Sequence, residues 1–181
     1  MENLNPPYLY LLVRNDLQSL NAGKAVAHGA HAANLFMWNM ERMMRDTVWN
    51  NPAQEHQSKP KFWSEYLEWL GEVPEIPAEH RADGFGTTIA LSVNKPQLET
   101  VVNLGLRLGF SAGLAWDPSY PYDVDAEVAK LIERVEAYPL EYPPIYKGAR
   151  ATCFRREVAA GYIFGRKDDL RPLLQNFPLM P

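Results

Sequence analysis

A change of apolar period within the first forty residues constrains the fold more than any other feature. Tyr8 to Arg14 (YLYLLVR) is a short, aromatic-rich apolar run between Pro7 and the polar pair Asn15-Asp16, and it predicts a buried first strand. From Asn21-Ala22-Gly23 the spacing becomes helical, with Asn21 available as a cap and Val26, Ala30, Ala33, Phe36 and Met37 as the apolar stripe. Ala25, Ala27, Gly29, Ala30, Ala32 and Ala33 are small enough to let this helix approach a sheet closely, and it is expected to run to about Met44. A buried strand feeding a helix of this kind is the opening of an α/β fold.

The rest of the chain continues the pattern. Residues 50–60 read as a polar connection, Phe62 to Leu70 as an aromatic helix, and 74–84 as an acidic, proline-containing loop. Thr87 to Val93 predicts a second strand, Asn94-Lys95-Pro96 a helix start, and Leu98, Val101, Val102, Gly105 and Leu108 its buried face. Ser111 to Trp116 predicts the third strand. The proline- and tyrosine-rich stretch at about 118–147 reads as an insertion around one helix, 125–138, with Val128, Leu131, Ile132 and Val135 as its stripe. Ala151 to Arg155 and Gly161 to Phe164 predict two strands of a closing hairpin, and Asp168-Asp169 start a last short helix. The order implies α/β layering about a central sheet, in one domain spanning 1–181 with an insertion.

Composition narrows the function classes. The 46% apolar share supports a real core, and no run approaches a membrane span. The N-terminal segment shows no basic region or small-residue cleavage site, so a cytoplasmic setting is expected. Cys153 is the only cysteine, which excludes an internal disulfide and a multi-cysteine metal site, and it reads as a small core residue. The formal charge of −4 argues against a surface that grips nucleic acid everywhere. Yet Lys147 to Arg171 holds seven basic against three acidic residues, a local strip able to engage phosphates.

The segment VRNDLQSLNAGKAVAHGAHA, residues 13–32, carries the most chemistry. Lys24, His28 and His31 stand at i, i+4 and i+7 on one helical face, beside unpaired amides at the helix start. That arrangement suits a phosphate or a developing oxyanion. Zinc would need a third ligand, and none lies at a recognisable spacing from the two histidines. Asp117 ends the third strand, where a carboxylate can hold an attacking water or cap the turn at Pro118. Arg14, Lys147, Arg150, Arg155 and Arg156 are the candidate phosphate contacts.

The same segment resembles the N-terminal signature of the type 2 peptidyl-tRNA hydrolase family, including its domain-containing subgroup. Arg14, Asp16, Leu17, Gly23, Lys24, Ala27, His31 and Ala32 stand as the signature has them. SVNKPQLETVVNLGLRLGFSAGLAWD is similar to the strand, helix and strand that lead to the family's functional Asp, here Asp117, and ARATCFRREVAAGYIFG follows the frame of its last strands. The closing LRPLLQNFPLM resembles the subgroup's tail. The resemblance implies a mixed four-stranded sheet between helices, in a three-layer α/β/α arrangement with one helical insertion before the last hairpin. It implies a metal-independent esterase, without cofactor, acting on the bond between peptide and tRNA. Its Lys, Asp and first Thr fall on Lys24, Asp117 and Thr152, with His28 and His31 as substrate contacts. His28 stands where the family has Gln, and the second Thr falls on Ala160. Peptidyl-tRNA is the expected partner, with no membrane; a homodimer and a protein partner at the insertion are left as options. A non-catalytic RNA-binding relative and a protein-interaction module are the alternative functions.

Overall fold

A computed structural model describes residues 5–48, 62–71, 86–135 and 142–180. The stretches read as connections at 50–60 and 74–84 lie outside the described residues, as do 136–138 of the insertion helix. The element order is β1 (Pro7–Arg14), α1 (Ala22–Val48), α2 (Phe62–Trp69), β2 (Thr88–Val93), α3 (Lys95–Arg107), β3 (Ser111–Asp125), α4 (Ala126–Arg134), β4 (Ile145–Lys147), β5 (Arg150–Arg166) and α5 (Lys167–Leu174). Five strands form a mixed sheet in the order β2-β1-β5-β3, with β4 added alongside β5. Among the described residues only β1 and β2 run parallel; β5 is antiparallel to each of its partners there.

β1 lies between β2 and β5 and contributes to two apolar clusters, which is why its sequence is apolar almost throughout. Leu9 joins Phe36 and Met40 of α1, Tyr66 and Trp69 of α2, and Phe164. Tyr10 and Leu12 join Leu98, Val101 and Val102 of α3 with Leu170 and Leu174 of α5. α3 starts as its sequence predicts. The Asn94 side chain accepts from the Gln97 amide, the Gln97 side chain accepts from the Asn94 amide, and Pro96 sits in the first turn. Gly161 is a packing constraint: a Cβ there would lie 2.7 Å from the Gly113 carbonyl and 2.9 Å from a Leu98 methyl. The outer edge of β2 is covered by the C-terminal segment, through Ser92 N to Pro178 O and Met180 N to Ala90 O. No helix among the described residues is long and apolar enough to cross a membrane.

Five expectations need correction. The sheet has five strands, not four, because Ile145–Lys147 pairs with Arg150–Thr152. The last hairpin is therefore β4–β5, closed at Gly148 with φ +63°, and the two strands read at 151–155 and 161–164 are one strand. β3 does not stop at Trp116; it continues to Asp125 through bulges after Ala115 and Asp117, so the insertion begins as strand. The α1 stripe is rotated by about one residue. Ala25, His28, Gly29, Ala32, Phe36 and Met40 are buried, whereas Val26 is 73% exposed. In α4 only Ala129 is fully buried, against Ala151 and Cys153, and Val128, Leu131 and Val135 face outward.

β5 stays intact through Arg156–Ala160 because the charge of Glu157 is neutralised inside the protein. The buried Glu157 carboxylate accepts from Arg14 Nη1 at 2.7 Å and Lys95 Nζ at 2.9 Å on one oxygen. Its other oxygen meets Arg155 Nη2 at 2.8 Å. Arg14 also bonds Asp16 and the Val158 carbonyl. Burial opposes ionisation of Glu157, but the bonds from Lys95 and Arg14 and the nearby Arg155 charge outweigh it, holding the carboxyl below its usual range. Glu157→Ala leaves Arg14 buried without its partner and should cost about 3–5 kcal/mol in urea unfolding. Because the folded-state pKa is depressed, the wild-type contribution is present above about pH 4 and should disappear as pH falls below it.

Candidate functional site

The candidate site forms where β1 hands over to α1. After Arg14, the Asn15 amide still bonds Val93 O, and Leu17 and Leu20 pack against Tyr120 and Ala159. The chain then turns, with Leu20 N bonded to Leu17 O, and the Asn21 side chain accepts from the Lys24 amide to start α1. This fixes the first turn of the helix beside the bulged part of β3.

Lys24 is half-buried and donates from Nζ to Ser19 Oγ at 2.7 Å, with its ammonium 5.3 Å from the centre of the Tyr120 ring. Ser19 Oγ in turn bonds the Tyr120 hydroxyl at 2.9 Å, and the same hydroxyl accepts from the Ser19 amide. One turn along α1, His28 is buried to 3% exposure, and its Nε2 lies 3.7 Å from Asp117 Oδ2. That is a polar contact longer than a hydrogen bond. Asp117 Oδ1 accepts from the Ser119 amide at 3.0 Å, and 21% of the side chain remains open to solvent. His31, a further turn on, is exposed and close enough for its charge to act on His28.

His28 reaches Asp117, and Lys24 lies close enough for its charge to act on His28, because α1 lies close to the sheet. Ala32 meets Ala115 and Ala160 there, with Leu11 and Leu35 packed against them. Ala160, where the resembled family carries its second Thr, is wholly buried in that contact. Thr152 is not part of the group. Asp117 pairs with Glu157, whereas Thr152 pairs with Asp123, five residues further along β5 or about 17 Å at strand rise. Its hydroxyl donates to Asp123 Oδ1 at 2.7 Å. The lengthened β3–β5 ladder, which continuous reading of the frame could not reveal, carries Thr152 away from the site.

The basic candidates divide as well. Arg14 is 5% exposed and engaged with Asp16 and Glu157, so it is a structural ion-pair partner and not an open phosphate contact. Arg155 and Arg156 are exposed on β5, the first over the Tyr122 ring and bonded to Glu157, the second over the Trp116 ring. Lys147 and Arg150 flank the β4–β5 turn, and Arg150 pairs with Asp125 at 2.9 Å. Sequence reading missed Ser19, Tyr120, Glu157 and Lys95. Ser19 could have been suspected as a hydroxyl within the loop before Lys24. Tyr120 could not, because its place depends on the β3 bulge.

Chemically the group combines a cation, a partly open carboxylate and a buried imidazole. Burial pushes the His28 pKa below its ordinary value; Asp117 opposes this, but the charges of His31 and Lys24 act in the same direction as burial. His28 is therefore neutral at neutral pH. Its Nδ1 is buried without a hydrogen-bond partner among the described residues. A histidine whose folded-state pKa is depressed takes up its proton more readily when unfolded. Stability should accordingly fall as pH drops below about 6.5, and continue to fall until the folded-state pKa is reached. Thermal unfolding between pH 8 and pH 5 should show this slope, and His28→Gln should flatten it.

Compared with known proteins, the chain matches no family model and no curated protein.

Proposed function

We propose that the chain is a peptidyl-tRNA hydrolase-like esterase, which cleaves the ester between a peptidyl or N-blocked aminoacyl group and the 3′ end of tRNA. The observation that carries this reading is the contact of His28 with the carboxylate of Asp117, one turn of α1 from the Lys24 that bonds the Ser19–Tyr120 pair. The three-layer arrangement around a four-stranded core, with β4 as an addition, belongs to the same reading, as does a role in translation in the cytoplasm.

In this mechanism a water held on Asp117 attacks the ester carbonyl and gives its proton to the carboxylate. Lys24 stabilises the charge that develops on the carbonyl oxygen. The tetrahedral intermediate then collapses, the C–O bond to the ribose breaks, and the proton on Asp117 passes to the departing oxygen. His28, neutral, lies 3.7 Å from the Asp117 carboxylate on the protein side, while the Ser119 amide fixes its other oxygen. Ser19 and Tyr120 keep the Lys24 ammonium in place. Positioning and electrostatics supply the rate, with no covalent nucleophile and no metal step.

A second reading, a non-catalytic RNA-binding relative, is favoured by one observation. Neither residue aligned with the family's threonines presents a hydroxyl to Asp117, since Thr152 is bonded to Asp123 and Ala160 has none. The third, an interaction module, draws on the exposed Val128, Leu131, Ile145 and Tyr146 of the insertion.

Purified protein assayed on N-acetyl-aminoacyl-tRNA, with free aminoacyl-tRNA as the control, separates the first two. Lys24→Ala and Asp117→Ala should each lower cleavage of the blocked substrate by roughly a hundredfold or more. Thr152→Ala should leave it within about twofold. Salt-sensitive binding of tRNA without any release of the acyl group would favour the binding relative instead.

A further inference from the structure

The buried ion-pair network beneath β5 has a solvent side that the proposed mechanism does not use. Arg14 and Glu157, at its centre, have side chains only 6% and 5% exposed. Lys95 and Arg155, bonded to the same carboxylate, are 42% and 49% exposed. Each uses a single contact to Glu157 among the described residues, although an ammonium has three donors and a guanidinium five. The network counts three cations, Arg14, Lys95 and Arg155, against two carboxylates, Asp16 and Glu157, and so keeps a surplus positive charge. Arg14 is the cation enclosed between Asp16 and Glu157, which leaves that surplus on the exposed pair.

The geometry points to Lys95 and Arg155 as a subsite for a single phosphodiester, with Glu157 as the positioning residue that holds the two cations together. This rests on the RNA-ester reading above and extends it to a defined phosphate. Two long, flexible side chains normally lose entropy on closing around an anion; here a buried carboxylate has already ordered both. Arg155 is further restrained over the Tyr122 ring, 4.8 Å from its centre. The backbone amide of Lys95 donates to Asp16 Oδ2, which fixes the first turn of α3 against the same network. An ammonium on one oxygen of Glu157 and a guanidinium on the other offer one cation to each free oxygen of a phosphodiester.

Position selects which phosphate. Glu157 is the cross-strand partner of Asp117, so their Cα atoms are about 5 Å apart. An RNA whose terminal ribose carries the ester at Asp117 has its next phosphate one sugar away, on the neighbouring strand. Lys95 and Arg155 would therefore hold the linkage that joins the terminal nucleotide to the rest of the RNA. The exposed Lys147 and Arg150, at the far end of the β4–β5 ladder, are left for phosphates further from the ester.

The test uses the full chain and two short RNA hairpins with single-stranded 3′ ends. They are identical except that the last phosphodiester of one is replaced by an uncharged methylphosphonate. Affinity is read by fluorescence anisotropy, and ester cleavage is measured separately on an acylated RNA. The wild type should bind the charged RNA roughly tenfold more tightly than the neutral one. Lys95→Gln and Arg155→Gln should each lose most of that preference while still binding RNA. Glu157→Gln should also lose it, although removal of a negative charge by itself would strengthen RNA binding; a purely structural Glu157 would change stability and leave the preference intact. Should Glu157→Gln fail to fold, the two exposed variants decide the matter. Full preference in Lys95→Gln and Arg155→Gln, or none in the wild type, overturns the subsite while ester cleavage still stands on its own assay. Failure to bind either RNA overturns both.

Discussion

A single buried carboxylate ties together the parts of the sheet on which the site depends. Glu157 lies in the middle of the longest strand, where an unpaired charge would cost several kcal/mol. It is kept ionised by Arg14 from the end of β1, Lys95 from the start of α3, and Arg155 from its own strand. Three elements distant in sequence are thereby pinned at one point. With that point held, β5 runs unbroken from the central sheet into the outer ladder, and β3 follows it through the bulges that set Asp117 and Tyr120 facing α1. Neutral packing could close the same space. It would not bring two partly exposed cations to one spot beside Asp117.

The second constraint is steric. α1 approaches the sheet where Ala32, Ala115 and Ala160 meet, and Gly29 faces Leu11 and Val13. This close approach lets His28 reach Asp117 from a helix that otherwise only covers the sheet. It also gives Ala160 a physical account, since a hydroxyl-bearing residue there would have to fit a volume that the Ala32 methyl occupies. The same feature that weakens the likeness to the resembled family is thus part of what brings helix and carboxylate together.

Much of this was legible in local sequence. The Asn94–Gln97 capping box with Pro96, the Asn21 cap, the acidic start of α5 and the buried first strand are encoded within a turn or two of chain, where few alternatives compete. Lys24 and His28 share a face for the same local reason. The rest required pairing information. The strand was read as two, interrupted at 156–160, because the counter-ions that keep Glu157 inside it lie 143 and 62 residues away. The α1 stripe was misplaced by one position because Ala and Gly give a weak apolar signal, while Val26 gives a strong one and is nonetheless exposed.

By itself the sequence determined where the first three strands and the helices start, and which helix carries the lysine and the two histidines. These follow from hydrogen bonds and side-chain spacing within short stretches. Only the tertiary structure decided that Arg14 serves the interior, that Thr152 belongs to the outer ladder, and that Ser19 and Tyr120 belong with Lys24. Each of those depends on strand register and on a two-residue bulge. A register is set by contacts between distant segments, so a shift too small to disturb any local pattern moves a side chain to another face or another site.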